Sequence, residues 1–302
     1  MLSPEIIAQD NNLCGEGPIW DAAQDRLIWN DFNSSLVFQY VPATSAKSVI
    51  SRNLNVAGIA LNCDGHLVFA GMTGLHLWRA QDDYQTIAAE HDGETLVFND
   101  ILADPQGRVY AGTYYWNEKE MDRPGKLYRI DPDGSVHIVD EGIELSNGLG
   151  LSPDNQTLYY ADSTARRIYA YDVNPATGDL ASRRVLVAVP KTEGMPDGLT
   201  IDAEGFIWSA QWYGGQVVRY DPEGKVERRV ELPAAQVTSV AFGGPDLADL
   251  YITSAAESWP AWPNPYAPPG YHPGKAKLGG SLYRLRLDIP GKAEHYARFE
   301  SE

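Results

Sequence analysis

Four side chains in this 302-residue chain have the type and spacing to do chemistry: Glu16, Asn99, Asn147 and Asp197. Each stands just ahead of a short apolar segment. The stretches are Gly15-Glu16-Gly17-Pro18-Ile19-Trp20, Phe98-Asn99-Asp100-Ile101, Ser146-Asn147-Gly148-Leu149-Gly150-Leu151 and Met195-Pro196-Asp197-Gly198-Leu199. Acidic and amide oxygens brought together from separate segments are what a hard divalent cation needs. Two carboxylates offset its charge, and amide and water oxygens complete the shell. Taken singly, each residue reads as a turn cap bonded to local backbone. Four at matching positions favour a shared site. Asp197 has a second candidate role, since a carboxylate beside a cation can take the proton of an attacking water. That pairing suits the opening of an ester or lactone without a covalent nucleophile.

Other catalytic signatures are missing. There is no Gly-x-Ser-x-Gly elbow, His-Glu-x-x-His pair, phosphate-binding Gly-rich loop or Cys-x-x-Cys motif. The six histidines (His66, His76, His91, His137, His272, His295) are scattered without ligand spacing and read as surface or strand residues.

The elements that must position the four candidates repeat along the chain. A turn of Asp, Asn or Gly type followed by an alternating strand carries Leu27, Leu67, Val109, Leu158, Ile207 and Leu250, which recur every 40 to 49 residues. Each unit reads as four short strands. In the fourth these are 148–151, 157–162, 167–172 and 184–189, with Pro- and Gly-bearing turns where the chain reverses. No amphipathic helix separates the strands. The expected fold is all-β: one six-bladed β-propeller over 1–302, with four-stranded blades around a central channel. Equivalent positions of different blades meet at such a channel. Trp20, Trp29, Trp208 and Trp212 read as blade packing, with Trp212 and Tyr213 near the channel mouth.

Two insertions break the period. One runs from Tyr114 to Gly125. The other, at about 257–280, interleaves Pro with aromatics, as in Trp259-Pro260-Ala261-Trp262-Pro263-Asn264-Pro265-Tyr266. Long loops of this kind are usually binding or covering segments.

Composition narrows the partners. A formal charge of −17 argues against nucleic acid and against an anionic membrane surface. The 28 Gly, 20 Pro and 17 Tyr fit many turns and strands. Cys14 and Cys63 are the only cysteines and read as core thiols in a reducing compartment. The first residues carry no signal-peptide pattern and no segment approaches a membrane span, so a cytoplasmic protein is expected.

These segments, together with Ala111-Gly112-Thr113, 201–208, Gly214-Gly215-Gln216-Val217-Val218-Arg219 and 237–244, resemble the gluconolactonase, senescence-marker-protein and luciferin-regenerating-enzyme family. The likeness runs in order from about residue 13 to 255, and Gly279-Gly280-Ser281-Leu282-Tyr283 fits a closing strand. It implies a six-bladed propeller that opens sugar-type lactones with one divalent cation, Ca²⁺ first, with Zn²⁺, Mn²⁺, Mg²⁺ or Fe²⁺ as alternatives. Carried over, it makes Glu16, Asn147 and Asp197 the metal ligands, Asp197 also the general base, and Asn99 a substrate or metal-water contact. The chain departs from the family pattern at Val97, where animal relatives have Arg, and at Tyr114-Tyr115-Trp116-Asn117-Glu118. Tyr115 and Asn117 are the candidate substrate contacts of that more aromatic stretch. The alternatives are a promiscuous esterase or phosphotriesterase on the same centre, or a propeller that only binds a partner. A small-molecule lactone is the expected ligand, and the chain is expected to be a monomer or small homo-oligomer. Trimming 259–272 is predicted to change relative rates on different lactones while leaving thermal unfolding within a few degrees. Global unfolding on trimming would assign that loop to the scaffold.

Overall fold

A computed structural model describes residues 3–116, 121–256, 264–274 and 278–301. Six antiparallel four-stranded blades surround a channel, the propeller that the repeat predicts. Blade one comprises Gly15–Asp21, Arg26–Asp31, Leu36–Val41 and Ala46–Arg52. Blade four, with Ser146–Leu151, Thr157–Asp162, Arg167–Val173 and Leu180–Ala188, follows the sequence reading closely. Blade six is completed by the N-terminal strand Glu5–Gln9, which pairs with Ser281–Arg286 and fastens the ring. Among the described residues no helix is long and apolar enough to cross a membrane.

Alternation explains the packing. Strand residues point to opposite faces, so each blade offers an apolar face to both neighbours. One apolar cluster fills each gap between consecutive blades. Between five and six it contains Trp208, Val217, Val240, Phe242, Ile252 and Tyr283, and between six and one it contains Trp20, Trp29 and Tyr251.

The inner strands begin at one face of the disc, called the upper face below. The connections between second and third strands also lie there, so both insertions emerge on it. On the lower face the first turn of five blades holds one left-handed residue, Asp25, Gly65, Gly107, Asn155 or Gly205, as its Asp/Asn/Gly composition requires.

The last residues form a strap across the lower face, an element the sequence pattern does not reveal. Gly291 bridges Asp202 of blade five and donates to the Leu247 carbonyl of blade six. His295 meets Asn155 of blade four at 2.9 Å, and the Arg298 N–H donates to Gly107 of blade three. Tyr296–Ala297 then runs parallel to the inner strand of blade two, where Asn62 holds both main-chain groups of Phe299.

Under the strap, Asp202 is fully buried. It accepts hydrogen bonds from Trp208 Nε1 and Arg219 Nε at 2.8 Å each, and from the N–H groups of Glu204 and Phe206. Removing one member of a buried ion pair costs about 3–5 kcal/mol. Asp202→Ala should lower the urea-unfolding free energy by about that amount. A loss well under about 1 kcal/mol would show that Arg219 finds equivalent partners elsewhere.

Candidate metal and hydrolytic centre

The candidate residues do not precede the inner strands, as the sequence reading expects. They lie within them, at irregularities. Pairing with the second strand slips between Glu16 and Ile19, Phe98 and Ile101, Ser146 and Leu149, and Pro196 and Leu199. Such bulges re-aim side chains that would otherwise alternate into blade faces. Here they turn Glu16, Asn99, Asn147 and Asp197 toward the channel. Blades two and six carry the same slip, but with Ala57 and Thr238 at the equivalent places, and so add no carboxylate.

Close blade contact enforces the arrangement. A Cβ on Gly148 would lie 2.3 Å from the Leu199 nitrogen, and one on Gly198 would lie 2.0 Å from Ser239 Oγ. In blade three the residue after the bulge is Asp100, which adds a third acid that the site reading did not assign. Its signal in the sequence is its place, one step after Asn99, where blades two, four and five have glycine.

A hydrogen-bonded relay orients Asn147. Its Nδ2 donates to Ser163 Oγ at 2.9 Å, and Ser163 donates to the Pro196 carbonyl at 2.7 Å, next to Asp197. The opposite end, Asn147 Oδ1, accepts from Asn99 Nδ2 at 3.2 Å, while Asn99 also donates to the Ser146 carbonyl. The amide oxygen is thereby held on the channel side. Ser163, which turns Asn147, was not singled out by the sequence, because its contact spans two blades.

The acids repel one another. Burial, then the Asp100 charge, pushes Glu16 up to about 8, against a single long N–H contact from Gly17. Asp197, only 3 % exposed, is raised well above the carboxylate range by burial and by Glu16 and Asp100. Asp100 is pushed up to about 6 by burial, with Glu294 of the strap adding to it. Cys14 also lies here, its thiol raised by burial and by Glu16, Asp197 and Asp31. Cys63, expected in the core, is instead exposed in the lower turn of blade two.

Hard oxygen donors whose ionised forms are disfavoured by burial and by one another fit a divalent cation, which would stabilise those ionised forms. Among the described residues no three His, Cys, Asp or Glu side chains converge tightly enough to hold an ion by themselves. The Asn147 amide, linked by hydrogen bonds to Asn99 and Ser163, offers an available neutral oxygen donor beside the acids.

The aromatic insertion divides. Tyr115 packs under Arg123, 4.0 Å from its guanidinium, and beside Tyr128 in the body of blade three, apart from the acids. Tyr114 is the residue of the pair on the channel side. Its ring lies 5.9 Å from Phe32, and burial, then the Cys14 charge, pushes its hydroxyl up to about 12. Asn117 lies outside the described residues. Trp212 and Tyr213 sit near the mouth in one cluster with Cys14 and Met195.

Residues 14–256 match the family described as SMP-30/Gluconolactonase/LRE-like region. The chain belongs to this family. It is 39% identical over 288 residues to a protein named pentonolactonase from Haloferax volcanii, covering 93% of each chain. It is 36% identical over 263 residues to regucalcin of Xenopus laevis, covering 84% of this chain and 87% of that one. Among solved structures, a luciferin-regenerating enzyme superposes with a TM-score of 0.83 at 26% identity, over 98% of this chain and 100% of that chain. A calcium-binding regucalcin from Agrobacterium tumefaciens gives 0.81 at 25% identity, over 98% of both chains.

The raised acids have a measurable consequence. Between the ordinary glutamate value of 4.5 and about 8, folded Glu16 keeps a proton that the unfolded chain releases. Its contribution to stability is complete below about pH 4.5 and is lost as the pH rises toward 8. In chelator the melting temperature should fall between pH 5 and pH 8, Glu16→Gln should flatten that fall, and millimolar calcium should restore stability mainly at pH 8. A fall of the same size in Glu16→Gln would remove Glu16 as its source.

Proposed function

We propose that this chain is a lactonase that adds water to a sugar-type lactone at the upper end of the channel, using one divalent cation, with Ca²⁺ the first choice. The observation that carries the reading is the meeting of Glu16, Asp197 and the oriented Asn147 amide in a chain 39% identical to a protein named pentonolactonase. Glu16, Asn147 Oδ1 and Asp197 would hold the cation, and Asn99 would contact the substrate or a water beside it. When bound, the cation supplies polarisation of the lactone carbonyl and neutralises charge that builds on its oxygen.

The protein's own residues do the rest. Asp197 takes a proton from the attacking water as the new C–O bond forms. When the ring C–O bond breaks, that proton passes to the departing ring oxygen, giving a hydroxy acid. A neutral Asp197 would be a poor base. Burial and the neighbouring acids raise its affinity for a proton, so Asp197 would act as the base when a cation held by Glu16, Asn147 and Asp197 offset that effect. Ser163 acts through Asn147, keeping the amide oxygen turned to the channel. The −17 charge favours neutral lactones over anionic esters in approach to this mouth.

The test is a pH-indicator assay on aldonolactones, aryl lactones and phosphotriesters, with and without chelator. Asp197→Asn is expected to lower kcat by about 10²–10⁴-fold. Ser163→Ala is expected to weaken cation binding by about 10–100-fold with little change in melting temperature. Lactone turnover that survives both chelation and Asp197→Asn would overturn the mechanism. Turnover confined to phosphotriesters would replace the substrate class.

A further inference from the structure

The sixth-blade insertion meets the upper face through one unusual side chain. Arg166 stands at the upper turn of blade four with a left-handed backbone, φ 56°. Its Nη1 donates to the main-chain oxygens of Glu193 (2.9 Å), Gly194 (3.0 Å) and Pro190 (3.3 Å), all in the loop that leads to Asp197. Its Nη2 donates to the Tyr266 carbonyl at 2.9 Å, exactly one hundred residues along the chain, in the described part of the insertion (264–274). All four acceptors are backbone carbonyls. A guanidinium offers five donors in a rigid plane, so it can tie two loops at once in a way a single-point cation cannot.

Beyond that tie, the insertion carries a set of rings across the mouth. Tyr266 meets Trp116 of the third-blade insertion edge to face at 5.2 Å, and Tyr271 lies 4.7 Å from Tyr213. Tyr266, Ala267 and Tyr271 pack on Cys14, Met195, Trp212 and Tyr213. Cys14 and Met195 each lie two residues before a candidate ligand, Glu16 and Asp197, so this aromatic wall borders the centre itself. Trp116 is held in turn by its own Nε1, which donates to the Glu144 carbonyl at 2.7 Å.

We infer that Arg166 is a positioning residue that fixes this aromatic wall beside the centre, and that the wall selects lactones whose ring bears an apolar or flat substituent. The substrate part rests on the lactonase reading above for its ring-opening chemistry, and moves that reading's substrate class from sugar-type lactones toward rings with apolar or flat substituents. Ring faces bury apolar surface of a ligand and contribute nothing to a lactone too small to reach them. Arg166 touches neither substrate nor reacting atoms. It acts by keeping Tyr266 and the 190–194 loop in register.

The experiment compares Arg166→Met and Arg166→Lys with the parent chain, loaded with calcium, by two readouts. Hydrogen exchange over 264–274 should become at least tenfold faster in Arg166→Met, with Arg166→Lys between the two. On a series from an unsubstituted five-membered lactone to alkyl- and aryl-substituted ones, Arg166→Met should raise KM about tenfold for the substituted members. Its kcat should stay within about twofold, and KM for the unsubstituted ring should rise far less. Unchanged exchange in 264–274 would overturn the positioning role. Faster exchange with an equal KM rise for every lactone would overturn the selection role. If the parent chain opened no lactone, the lactonase reading would fall with the substrate part, while exchange would still decide whether Arg166 holds the wall.

Discussion

Mutual repulsion of Glu16, Asp197 and Asp100 is the constraint around which the centre is arranged. All three are raised by burial, and each of the first two is raised further by another member of the group. A chain free to relax would separate them. Here their Cα positions are set by inner strands packed edge to edge, with so little space that Gly148 and Gly198 cannot carry a side chain. The apolar burial between blades, far larger than the repulsion of one acid group, keeps them together. That imbalance lets the fold hold three mutually unfavourable acids at one place.

Fine orientation comes from hydrogen bonds that cross between blades. Asn99 in blade three, Asn147 and Ser163 in blade four and the Pro196 carbonyl in blade five form one series. A one-residue change in the register of any of these strands would send its polar side chain into an apolar cluster. The bulge beside each candidate therefore does two jobs. It releases the residue from strand alternation, and it leaves the rest of the strand in phase with its core.

The two faces of the disc have different duties. On the lower face the strap from Gly291 to Phe299 joins turns of five blades and places Lys292 and Glu294 against a cavity of about 60 Å³, large enough for a few waters. On the upper face, the insertions from blades three and six bring Trp116, Tyr266 and Tyr271 around the mouth. The strap and the two insertions are thus separated by the thickness of the sheet, and loops on the upper face can diverge without disturbing the blades.

The repeat and its turn residues determined the six-bladed architecture, because period-two alternation and left-handed turn positions are local properties. The strand boundaries of blade four were legible for the same reason. So was the set of polar residues at matching repeat positions, Glu16, Asn99, Asn147 and Asp197. Their role remained open between caps and ligands, and the family likeness inclined it toward a metal centre. Other features depended on contacts between distant segments. Alternation says that only one of Tyr114 and Tyr115 can face the channel, but the pairing of blade three decided that it is Tyr114. Asp100 reads as an ordinary neighbour of Asn99 until the repeats are aligned and its counterparts in blades two, four and five prove to be glycines. Ser163, Arg166 and the C-terminal strap act across gaps of tens to hundreds of residues, on partners that no local pattern names. Those partners come within hydrogen-bonding distance only once the strands are paired and the blades packed side by side.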